Sequence, residues 1–148
     1  MNQFNAEGDG VSPPLIFDDL PVALFRSHPD GALFAVNKAF RELTGYVDDA
    51  ALRKLYTSDL YANLDERSEK LALLFSQGFV RNAPFTLRRF DGSVINTFFN
   101  VNLVYNADGQ VQFLEGAIHE ADENEWANNQ LQHRLALETF AADLSARL

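Results

Sequence analysis

The chain has no cysteine, a single methionine and a single tryptophan. Without cysteine there is no disulfide, no thiolate nucleophile and no thiolate ligand for structural zinc. Positive charge is scarce: 12 Lys and Arg stand against 21 Asp and Glu, a formal net charge of −9. Nucleic acid is therefore disfavoured as a partner, because phosphate binding needs clustered cations. The short basic pair Arg88-Arg89 reads as a solvated strand edge. No run approaches the ~18 apolar residues of a membrane span. Met1-Asn2-Gln3-Phe4-Asn5 lacks the basic and apolar regions of a signal peptide, so a cytoplasmic protein is expected.

What is present is apolar. Of 148 residues 47% are hydrophobic, with 13 phenylalanines, enough for one well-buried domain and too little for two comfortable ones. Residues 1–14 are polar and closed by Pro13-Pro14, which predicts a flexible arm. Ile16, Phe17 and Leu20 form a short amphipathic segment stopped by Pro21. Val22 to Arg26 and Ala32 to Val36 flank the turn signal Ser27-His28-Pro29-Asp30-Gly31, a hairpin. Asn37 is placed to cap a helix ending at Thr44-Gly45, and helical pieces follow from Asp48 to Leu55. Asn63 to Gln77 is the best internal helix, with Leu64, Leu71, Leu74 and Phe75 at three- and four-residue steps and Gly78 as the stop.

From Phe85 the period changes to two. Phe85 and Leu87 lead to Asp91-Gly92; Ile95, Thr97, Phe99, Val101, Leu103 and Tyr105 line one face of a long strand; Asn106 to Gly109 turns the chain; Val111 to Ile118 returns it. Three strands joined by Asp-Gly turns make an antiparallel meander. With the first hairpin the fold class is α+β: five antiparallel strands with helices inserted after the second. Asp122 with Glu125 opens a last helix as a capping box, and Trp126, Gln130, His133, Leu137, Phe140, Leu144 and Arg147 follow coiled-coil spacing. An amphipathic helix folded back on its own domain has the same pattern.

Leu20-Pro21-Val22-Ala23-Leu24-Phe25-Arg26, Asp30-Gly31, Val36-Asn37-Lys38-Ala39-Phe40 and Leu43-Thr44-Gly45-Tyr46 resemble the first half of a bacterial PAS domain. Leu87-Arg88-Arg89-Phe90-Asp91-Gly92-Ser93, Asp108-Gly109-Gln110-Val111 and Leu114-Glu115-Gly116 resemble its second half. The resemblance spans roughly residues 15 to 122 and implies a flexible arm over 1–14, a PAS domain over 15–121 and a signalling and dimerisation helix over 122–148. The family's frequent Asp-Ile-Thr junction is replaced here by Glu120-Ala121-Asp122.

The resemblance implies a sensory and dimerising module of a bacterial signal-transduction protein, such as a histidine kinase or diguanylate cyclase, that passes changes along its last helix to an output domain. A ligand-free interaction module with a fully packed core is the alternative, and a small ligand-converting enzyme a remote one. No nucleophile stands beside a base, so no catalytic residue is assigned. No metal ligand or cofactor-binding residue is assigned either. Cysteinyl-flavin lacks its cysteine, and haem is disfavoured because His28, His119 and His133 fall in a turn, at a strand end and on the last helix.

The family's cavity would be lined by Arg67, Ser68, Leu71, Phe75, Thr97, Phe99, Val101, Leu103 and Phe113, or Leu114 in place of Phe113. It would suit a small, largely apolar ligand held by few polar anchors, among them Thr97, Ser68 and Arg67. Phe98 and Val104 on the opposite face need a cover, from within the chain or from a second copy. A homodimer through Ile16, Phe17, Leu20, Phe98, Trp126, Leu137, Phe140 and Leu144 is expected, with neither nucleic acid nor membrane insertion.

Overall fold

A computed structural model describes residues 17–129 and 131. The arm over 1–14, Ile16, and the seam residues Gln130, His133, Leu137, Phe140 and Leu144 lie outside the described residues. A 3₁₀ turn, Phe17–Asp19, leads into β1 (Ala23–Ser27) and β2 (Leu33–Val36). Three helices follow: α1 (Lys38–Thr44), α2 (Asp49–Arg53) and, after a second 3₁₀ turn at Thr57–Leu60, α3 (Leu64–Gln77). The meander β3 (Phe79–Arg88), β4 (Val94–Tyr105) and β5 (Val111–Glu120) completes the sheet. Its order is β2-β1-β5-β4-β3, every neighbour antiparallel.

Local chemistry places these elements. Asn37 accepts from the Phe40 amide at the start of α1, and Gly45 ends the helix in the left-handed region at φ 79°. Asn63 caps α3 by accepting from Asp65, and Gly78 closes it. Strand β3 begins at Phe79, six residues before the clear alternation starts. The pairing shifts between Val80 and Ala83, where Asn82 takes a positive φ of 48°, so an inserted residue breaks the period of two.

The sheet has two unlike faces. The inner face carries the main core, in which Phe25, Leu87, Phe99, Val101 and Leu114 meet Phe40, Leu52 and Leu74. Thr97, Phe99, Val101 and Leu103 are buried on it as the alternation predicts, whereas Tyr105, at the strand end where the pairing with β5 shifts, is exposed. A Cβ on Gly116 would lie 2.5 Å from Cζ of Phe25, so only glycine lets that ring cross β5.

The outer face is covered from within the chain at two places. Phe17 packs with Phe34, Ala35 and Phe113 over β1, β2 and β5. Arg26 lies between the Phe17 and Phe113 rings, 5.8 and 5.1 Å from their centroids, and pairs with Glu115 at 2.9 Å. At the other end Trp126 packs on Phe98, ring centroids 5.8 Å apart, with His119 at 5.6 Å on the same ring. Asp122 caps this last helix by accepting from Glu125 at 2.6 Å, and the Ala121 amide donates to Asn96.

The buried Asn37 amide is the node of the fold. Its Oδ1 accepts from Leu24 and Phe40, and its Nδ2 donates to the carbonyls of Phe17 and Val22, all within 2.8–3.0 Å. Replacing it leaves several buried backbone groups unpaired, so Asn37→Ala should lose about 3 kcal/mol of stability in urea titration. Asn37→Asp should be at least as damaging, because a carboxylate oxygen would face two carbonyls. A loss under 1 kcal/mol for both would show the node to be dispensable.

Candidate functional site

Between α3 and the inner face lies a cavity of about 50 Å³. The sheet supplies Phe25, Val80, Phe85, Phe99, Val101, Leu114 and Ile118, all buried. The helix supplies Arg67, Lys70, Leu71 and Leu74, which fall at i, i+3, i+4 and i+7 and so form one stripe. Thr57, Leu60 and Tyr61 of the second 3₁₀ turn and its exit complete the lining, with Tyr61 bridging to Leu87 of β3. Thr57, Tyr61, Arg67, Lys70 and Leu71 are only half-buried and mark the side open to solvent.

Of the residues expected to line this space, Arg67, Leu71, Phe99 and Val101 do so. The others are placed elsewhere. Phe75 is 47% exposed, one step past Leu74 and off the buried stripe. Ser68 faces solvent and donates to the Leu64 carbonyl. Thr97 is fully buried, but its hydroxyl is committed to the Phe85 carbonyl at 2.8 Å and it does not border the cavity. Leu103 is buried on the same face beyond the cavity's end. Phe113 pairs with Val104 on the outer face, and its neighbour Leu114 is the lining residue.

Sequence reading missed the polar or half-buried Thr57, Tyr61 and Lys70 and the apolar Phe25, Leu60, Val80, Phe85 and Ile118. The signal for Lys70 was its helical spacing from Arg67 and Leu74; Thr57 and Tyr61 come from an irregular segment without a period. Of the expected interface residues, Phe17 and Phe98 are buried within the chain, Trp126 is half-buried on Phe98, and Leu20 is exposed.

The polar groups gather at the open side. Arg67 donates from Nη2 to Thr57 Oγ1 at 3.3 Å, while its buried Nε has no partner. A Cβ at Gly31, whose φ is +99°, would come within 2.9 Å of Arg67 Nη2 and 3.0 Å of Thr57 Oγ1, so this glycine keeps the guanidinium seated. Tyr61 stacks on Phe85 at 4.9 Å, and Phe85 meets Phe99 edge-on at 5.0 Å. Burial pushes the Tyr61 phenol far above the ordinary tyrosine range; Arg67 pulls it down and Glu66 raises it further.

At this volume the cavity is about a third of the ~150 Å³ that holds benzene. His28 stacks on Phe34 of the outer face and His119 lies beside Phe98, both away from the cavity. Among the described residues no group of three His, Cys, Asp or Glu is placed to hold a metal ion.

The raised Tyr61 pKa has a consequence for stability. A phenol that resists ionisation in the folded state stabilises the fold fully below its unfolded pKa of ~10, and that contribution is lost as pH rises above it. Urea midpoints at pH 8 and pH 10.8 should therefore fall less for Tyr61→Phe than for the unsubstituted chain. Equal losses would mean that Tyr61 ionises freely.

The PAS domain family model matches residues 21–120. Among solved structures, a PAS domain from Colwellia psychrerythraea superposes with a TM-score of 0.64 at 16% identity, covering 72% of this chain and 91% of that one. A PAS domain from a two-component sensor histidine kinase gives 0.61 at 13% identity over 72% and 90%. An RNA-binding Light-Oxygen-Voltage receptor gives 0.67 at 24% identity; the match covers 88% of this chain and 40% of the receptor chain. No curated protein matches the chain. A family model that fits its whole five-stranded sheet, from the hairpin through the meander, makes this chain a member of the PAS domain family.

Proposed function

We propose that the chain is a non-catalytic sensory and dimerising module of a bacterial, cytoplasmic signal-transduction protein, with a PAS domain over 15–121 and a signalling helix over 122–148. The observation that carries this reading is the pairing across β4 and β5. Phe99 pairs with Ile118 and both line the cavity; the next pair, Phe98 with His119, faces out, and Trp126 of the last helix rests on Phe98. Adjacent residues of the same two strands thus meet the core on one side and the helix on the other. A change in core packing moves the backbone that seats Trp126, and packed elements of this kind rearrange between discrete states.

A second reading, a ligand-free interaction module, is favoured by the small cavity alone. The cationic side chains at its open side favour the sensory one. Native mass spectrometry of the purified chain separates them, since a stoichiometric small molecule would exclude the ligand-free reading.

Two outcomes are expected. Light scattering on a chain ending at Asp122 should show weaker association than the full chain, and unchanged association would remove the last helix from the interface. Phe98→Ala should shift the fluorescence of Trp126, the single tryptophan, to longer wavelength as its ring loses its seat. An unmoved spectrum would mean that the helix is held by other contacts.

A further inference from the structure

The chain has 21 acidic side chains and 12 basic ones, yet no acidic residue lines the inner cavity and its two charged lining residues, Arg67 and Lys70, are cations. The ion pairs among the described residues are Arg26 with Glu115 and Arg41 with Asp49, so neither cavity cation is neutralised by one. Glu66, next to Arg67 in sequence, is engaged by the Thr86 amide at 3.2 Å. Arg67 is left with one long bond to Thr57 and a buried Nε without a partner. A desolvated guanidinium N–H without an acceptor is costly, and a carboxylate is the acceptor that best matches its planar fork.

Beyond these cations the lining is apolar. Leu71 and Leu74 lie on α3, and Val80 and Phe99 on the strands opposite. From the two halves of this lining we infer that the cavity binds a small monocarboxylate, its head on Arg67 and Lys70 and its short alkyl body against Leu71, Leu74, Val80 and Phe99. The size limit follows from volume, because 50 Å³ admits only a few carbon atoms without movement. Room for a longer body comes from α3, of whose 14 residues only Leu74 is fully buried, while Leu64, Leu73 and Phe75 are exposed. Displacing that helix frees few of its own apolar contacts but uncovers Val80, Phe85 and Phe99 on the sheet beneath it, a face the alkyl body then covers. The proposal rests on the cavity being the signal-receiving site.

The test compares butyrate with butyramide, its neutral analogue of the same shape, by methyl NMR titration of the full chain. Butyrate should shift the Leu71, Leu74 and Val80 methyls saturably, and butyramide should bind about tenfold more weakly, as expected for loss of a charge-assisted bond. Arg67→Gln should bring butyrate down to the level of butyramide while leaving butyramide unchanged. Should that variant fail to fold, the acid–amide comparison on the unsubstituted chain decides alone. Equal binding of the two compounds, or cavity methyls that neither moves, overturns the proposal. The Trp126 indole resonance is read in the same spectra. Methyl shifts without an indole response would sink the relay and leave the ligand class standing; an indole coupled to Phe98 beside a silent cavity would sink the ligand class alone.

Discussion

One buried amide joins the first 3₁₀ turn, the entry to β1 and the start of α1. Asn37 sits between β2 and α1, and it draws to itself the 3₁₀ turn at Phe17, the entry to β1 at Val22 and Leu24, and the first turn of α1 at Phe40. The bonds to Phe17 and Phe40 are buried and those to Val22 and Leu24 partly so, and a backbone group removed from water must find a partner. A single side chain with two donors and one doubly used acceptor meets all of them. The position of Phe17 over the outer face, and therefore the closing of that face above Arg26 and Phe113, follows from this constraint.

The fold was legible in the sequence where the chemistry is local. Asn37, Gly45, Asn63, Gly78 and the two Asp-Gly turns announce their elements because caps and positive-φ turns demand those residues. The site was legible only in part, for reasons of parity. Phe113 and Leu114 are adjacent and both apolar, so alternation cannot tell which faces in; pairing with Val104 and Leu103 decides it. Phe75 obeys helical spacing as well as Leu74, yet α3 touches the sheet along a stripe too narrow for both. The bulge at Asn82 concealed the first half of β3. Arg67 could be named from sequence, but its lack of an ionic partner is a property of assembly.

The sheet acts as a partition whose two faces do different things. Its inner face is lined by aromatic and branched side chains around a small void with cations at the rim, and its outer face carries Phe17 at one end and Trp126 at the other. Because β4 and β5 are central, residues of opposite parity on the same strands connect the void with the last helix without an intervening element. Membership of the PAS family accounts for the scaffold; the character of the void belongs to this chain's own side chains.

Gly116 sets a boundary of a different kind. With the Phe25 ring lying across it, the inner wall at this point is one aromatic face thick, and the wall's position is fixed by a hydrogen atom where every other residue would place carbon. The void is thereby tuned from its back rather than its rim. The wall that shapes the void and the cations at its rim stand on separate elements, the first on β1 and β5, the second on α3, and each can change through substitution without rewriting the other.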